Sequence, residues 1–103
     1  MLAELLPLDE ERRREAAVWL AFVARARVDP ELRDIGEQAD ETLRAIVRHA
    51  LDPLALADVE LAVEDTHALV DGLALHAVLQ PGRPTPVLMR RVLQAHLERL
   101  TRS

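Results

Sequence analysis

One hundred and three residues with a net charge of −5, half of them hydrophobic and none of them cysteine, describe one small domain. That balance excludes a disulfide framework and thiolate chemistry. It also argues against direct DNA binding, which needs a basic stripe, whereas acidic residues here are spread along the whole chain.

A domain of this size buries only about two thirds of the surface its unfolded chain exposes, so an oligomer interface would add materially to its stability. One Trp, one Phe and no Tyr leave a core of Leu, Ala and Val. Aromatic and β-branched runs between turn signals are missing, and the expected fold is all-α, an antiparallel bundle of four to five helices. The opening MLAELLPL is too short and lacks the basic start of a signal peptide, and no apolar run reaches membrane-spanning length. The expectation is a cytoplasmic chain with no membrane partner. All thirteen basic residues are Arg, which points to a GC-rich genome and to no mechanism.

In chain order, MLAELL before Pro7 reads as the last turns of a helix. Asp9 can cap the first full helix, with Glu10 and Glu11 complementing its dipole and Asp9/Arg13 and Glu10/Arg14 spaced for i,i+4 pairs. From Ala16 to Ala24 this helix is apolar nearly all round, which predicts that it is enclosed. Trp19 and Phe22, one turn apart, either line an apolar ligand cavity or simply fill the core. Asp29 and Pro30 start the second helix, on which Leu32, Ile35, Ala39, Leu43, Ile46 and Ala50 form one narrow apolar stripe. Gly36 falls beside that stripe and marks a kink or a break, and Asp52-Pro53 ends the helix.

The third helix, Asp58 to Gln80, is apolar on two faces. At about 100° per residue, Val59, Ala62, Val63, Thr66, Val70, Leu73 and Ala77 share one side, while Leu61, Ala68, Gly72, Leu75 and Leu79 share the opposite one. A surface helix carries a single apolar stripe, so two stripes predict a helix sandwiched between its own core and a partner. The second stripe steps by alternating fours and threes through Leu61, Asp65, Ala68, Gly72, Leu75 or His76, and Leu79, as a helix-on-helix seam does, and it is read as a homodimer surface. Gly72 in its middle costs a helix about 1 kcal/mol. Either close approach of a second helix offsets that cost, or the glycine is simply tolerated. PGRPTP then forms a tight connection, Thr85 caps the last helix, and Leu88, Met89, Val92, Leu93, His96, Leu97 and Leu100 give that helix a broad apolar face.

Few residues suggest chemistry. Glu64-x-x-His67 has the spacing of half a di-metal site, but neither His49 nor His96 has a Glu three residues before it, so no metal and no cofactor is expected. His67 and Asp71 are spaced to form either a charge-assisted pair at the edge of the core or a plain surface pair. His96 reads as a packed interface histidine rather than a catalytic base, because no Ser, Cys or carboxylate accompanies it. No catalytic residue is expected.

Three segments, LPLDEERRREAAVWLAFVARARVDPELR, ALVDGLALHAVLQPGRPTP and MRRVLQAHLERL, resemble the C-terminal regulatory domain of TetR-family transcriptional repressors, most closely the BetI-type branch. The resemblance implies an all-helical, non-enzymatic domain that senses a small apolar or aromatic ligand and dimerises through its last two long helices. On this chain those helices run from about Leu61 to Gln80 and from Pro86 to Arg102, which adds Leu88, Val92 and His96 to the interface already drawn from Leu61, Ala68, Gly72, Leu75, His76 and Leu79. Ligand binding inside the bundle would place Trp19, Phe22, Val23, Ile46, His67 and Val70 near the effector. DNA would be bound only through an N-terminal helix-turn-helix domain that these residues do not include, and the segment from Asp52 to Asp58 is shorter than the usual connection. The chain is then either a fragment of a repressor or a free-standing sensor-like domain. Two other readings stay open: a ligand-free helical interaction module with a filled core, and a small helical enzyme acting on an anionic substrate through Arg12 and Arg27.

Overall fold

Four helices, each begun by a side-chain cap, carry the architecture. In the computed structural model, which describes residues 2–80 and 82–102, α1 spans Glu10–Ala26, α2 Pro30–Leu51, α3 Val59–Leu79 and α4 Pro86–Arg102. Met1 and Pro81, part of the predicted first turns and of the predicted PGRPTP connection, lie outside the described residues. Asp9 accepts from the Arg12 N–H at 2.8 Å, Asp29 from Glu31 at 3.0 Å, Asp58 from Leu61 at 3.2 Å and Thr85 from Leu88 at 3.2 Å. Each cap satisfies a donor that the helix itself cannot, worth about 1 kcal/mol. No strand occurs among the described residues.

The central element is α3, which packs against α1, α2 and α4. Its inner face supplies Ala62, Val63, Val70, Leu73 and Ala77 to a core that Val47 and Leu51 enter from α2 and Met89 and Leu93 from α4. The opening MLAELL is a single 3-10 turn, Leu2–Leu5, and not the end of an α-helix; Leu2 and Leu6 plug the core beneath it. The molecule measures 41 × 31 × 17 Å with a radius of gyration of 14.3 Å. A compact domain of this length has a radius of about 13 Å, and a helix with its side chains is about 10–12 Å across. The chain is therefore a slab less than two full helices thick, with much apolar surface near its faces.

Two expectations about helix faces are corrected. Helix α1 is not enclosed: Val18 is 70% exposed, and Ala26 is the one buried residue of the helix. Its apolar circumference serves a crevice on one side and faces solvent on the other. On α2 the buried positions are Val47 and Leu51, while Ile35 and Ile46 are exposed. The reason is that α2 meets two partners, α1 along its N-terminal half and α3 along its C-terminal half, so no straight stripe describes its contacts. The predicted i,i+4 pairs near the start of α1 close one residue tighter, as Arg12–Asp9 and Arg13–Glu10.

Gly36 does not break α2, which is continuous from Pro30 to Leu51. It lies where α1 crosses, and a Cβ there would stand 3.3 Å from the Ala26 Cβ. We expect Gly36→Ala to be nearly neutral, because about 1 kcal/mol of helix propensity offsets the tight contact. Gly36→Leu should push α1 away and lower the urea-unfolding free energy by about 1–3 kcal/mol.

Candidate functional site

Between α1, α2 and the second half of α3 lies an apolar crevice of about 710 Å³, within the size range of pockets that hold drug-sized ligands. Trp19, Leu20 and Val23 form one wall, Leu43 and Ala74 the other, and Leu75 stands at the edge. Trp19 is set by Phe22, whose ring centroid is 5.7 Å away at an interplanar angle of 31°. A smaller cavity of about 240 Å³ adjoins, shares Trp19 and His67, and reaches Val70.

Of the six residues expected near an effector, Trp19, Val23 and His67 thus line the main crevice, Val70 lines its annex, and Phe22 supports Trp19 from behind. Ile46 is a correction: it is 40% exposed and lines neither cavity, because the turn of α2 that carries it directs Val47 inward instead.

The polar end of the crevice is built around His67, which retains only 9% of its surface. Its Nε2 lies 3.5 Å from an Asp40 oxygen and 3.5 Å from an Asp71 oxygen, and makes a hydrogen bond to neither. Asp40 is held by the Arg44 guanidinium at 2.8 Å, and Arg44 also pairs with Glu64. Burial raises the Asp71 carboxyl above its ordinary range; His67 and Arg44 pull it back and Asp40 pushes it further up. Spacing located the His67–Asp71 pair, but Asp40 comes from another helix and left no signal along the chain. Glu64 faces Arg44, and among the described residues no group of three or more His, Cys, Asp or Glu is arranged to hold a metal ion. Arg12 is half-buried and paired to Asp9, whereas Arg27 stands exposed on the crevice rim, so the two do not form a buried anion site.

On the side of α3 away from the core, Leu61 is 59% and Leu79 67% exposed, with Ala68 and His76 exposed between them, while Gly72 and Leu75 of the same stripe also line the crevice. Gly72 has no heavy atom within 4 Å of where its Cβ would lie. From α4, Leu88 is exposed and Val92 half-buried. His96, grouped with these residues from sequence, is instead buried inside its own chain, where its Nε2 shares a 2.8 Å hydrogen bond with the fully buried Thr66. It follows Met89 and Leu93 along the stripe of α4 that faces α3, so it ties those two helices together.

Burial lowers the His96 imidazole below its ordinary value of 6.5, Arg99 lowers it further, and Asp65 partly restores it. The folded chain then stays neutral at this site while the unfolded chain takes up a proton, so the stability it contributes is complete above pH 6.5 and is lost as the pH falls below that value. Melting curves between about pH 7 and about pH 5 should show a falling Tm, with a shallower fall in His96→Gln.

The family described as BetI-type transcriptional repressor, C-terminal, matches residues 1–102. The HTH-type transcriptional regulator PksA of Bacillus subtilis (strain 168) is 38% identical over 103 residues, covering 95% of this chain and 50% of PksA. A transcriptional regulator of Rhodococcus sp. Rha1, known from its crystal structure, is 33% identical and matches with a TM-score of 0.86 over 98% of this chain and 54% of that one. The chain spans about half the length of each of these relatives. A family match along nearly every residue, joined to the same helical arrangement in a solved regulator, means that the chain belongs to the TetR-family transcriptional regulators, as a C-terminal domain of the BetI type.

Proposed function

We propose that this domain senses a small apolar or aromatic effector and dimerises, and that in the intact regulator the first event alters DNA binding through the second. The observation that carries this reading is the double use of α3. The same helix lines the crevice with His67, Asp71 and Ala74 and presents Leu61, Ala68 and Leu79 on the side away from the core, and Gly72 and Leu75 of that outer stripe also line the crevice. An exposed, mainly apolar face of this kind, interrupted by Asp65, supports an association surface. A ligand that packs better against one placement of α3 than another shifts the population of interface geometries, and without such differential affinity nothing moves. DNA itself would be contacted by another part of the regulator, since this segment carries a net charge of −5.

A thermal-shift screen over apolar and aromatic compounds tests the effector half of the reading. A true ligand stabilises by mass action, about 2.7 kcal/mol at a hundredfold excess over its Kd. Trp19→Ala should abolish the shift. A screen with no stabilising compound would favour a ligand-free interaction module.

A further inference from the structure

Among the described residues, His67 Nε2 is the single buried side-chain nitrogen or oxygen without a hydrogen bond. A buried polar atom left unpaired is costly, and one facing a cavity marks where a ligand group belongs. Carboxylates stand on both sides of it, and carboxylates only accept, so the ring hydrogen sits on Nε2. Arg44 already holds Asp40. The open pair is therefore a donor, His67 Nε2–H, beside an acceptor, the Asp71 carboxylate, 3.5 Å apart.

That separation is too long for a good direct bond and shorter than the roughly 4.5 Å that one bridging hydroxyl spans at a tetrahedral angle, so the half-exposed Asp71 carboxylate must swing outward by about 1 Å to admit one atom. A single oxygen can sit at about 2.9 Å from the nitrogen and about 2.7 Å from the carboxylate. Such an atom must accept from one neighbour and donate to the other, as a hydroxyl does. An ammonium donates only and leaves Nε2–H unmet. A ligand carboxylate meets Glu37, Asp40, Glu41 and Asp71, against which the rim sets Arg27 and Arg33. An amide presents its donor and acceptor on two separate atoms and needs a wider gap. Asp71 is half exposed, so a small rotation of its side chain admits the oxygen, and its raised basicity strengthens it as an acceptor.

We infer that the crevice selects a neutral, hydroxyl-bearing apolar molecule, an alcohol or phenol whose oxygen bridges His67 and Asp71 while its apolar body lies along Trp19 and Val23. This rests on the effector-binding reading and adds the chemical class of the effector.

Four probes with one apolar body test it by titration calorimetry: 4-pentylphenol, pentylbenzene, 4-pentylbenzylamine and 4-pentylbenzoate. The phenol should bind about 10-fold more tightly than pentylbenzene, the two charged probes more weakly than the phenol. In His67→Leu, and separately in Asp71→Ala at a half-exposed position, that advantage should shrink to about twofold or less while pentylbenzene keeps its affinity, which reports an intact crevice. Tightest binding by the amine or the benzoate, or a phenol advantage that survives both substitutions, overturns the hydroxyl assignment and leaves effector binding standing. No binding by any probe overturns the assignment together with the reading it rests on.

Discussion

Replacing Leu61 and Leu79 together by Asp should leave the helical circular dichroism of the chain unchanged and abolish the self-association proposed above. Both side chains project from α3 on the side away from the core, so neither substitution opens a cavity in the monomer. In a two-fold interface each position counts twice. Fully burying a Leu contributes about 1.5–3 kcal/mol, and with 59% of Leu61 and 67% of Leu79 left to cover, four of them represent on the order of 4–8 kcal/mol. Four carboxylates stranded in an apolar seam would oppose association further. Even a nanomolar dimer, held by about 12 kcal/mol, would not persist. Size-exclusion chromatography with light scattering distinguishes the outcomes: a variant that still runs at wild-type mass shows that association does not use this face.

Met89→Ala should produce the largest loss of folding stability. Met89 is 1% exposed and belongs to the core shared by α3, α4 and the opening turn. Truncating a buried Met to Ala removes transfer free energy and leaves a cavity, about 2–5 kcal/mol in total. A domain of this size has about 5–15 kcal/mol to lose, and at about 4–8 °C per kcal/mol the midpoint should fall by at least ~10 °C. Met89→Leu, which conserves volume, should cost under about 1.5 kcal/mol. Thermal unfolding followed at 222 nm checks both; equal midpoints for Met89→Ala and wild type would mean that α4 adds little to the fold.

Local signals were legible and cross-chain ones were not. Asp9, Asp29 and Thr85 cap the helices they were expected to cap, because capping is decided by residues two or three positions apart. The inner face of α3 is also buried as its periodicity requires. The exposure of Val18 and Ile46 was not legible, since which side of an apolar helix meets solvent depends on the angle at which another helix crosses it. His96 was assigned to the interface for a related reason: its place on the apolar face of α4 does not tell which helix that face meets, and its partner Thr66 lies on a different helix. The site divides in the same way. Trp19, Val23, His67 and Asp71 were within reach of sequence reasoning, whereas Asp40 joins His67 only through the packing of α2 on α3.

Gly72 offers a gentler probe than the paired Asp substitutions. With open space where its Cβ would lie, Gly72→Leu should leave the monomer fold intact and gain about 1 kcal/mol of helix propensity. The same change should weaken the dimer if a second helix lies against this position. Because Gly72 also lines the crevice, a variant that is more stable and less associated reports on the interface and leaves ligand binding to the Trp19 variant.

The most direct test is the molar mass of the wild-type chain by multi-angle light scattering, across concentrations up to about 0.1 mM. A value twice the sequence mass of 11.5 kDa is the expected result. A value that stays at 11.5 kDa throughout would contradict the proposal that the outer face of α3 is covered by a second copy.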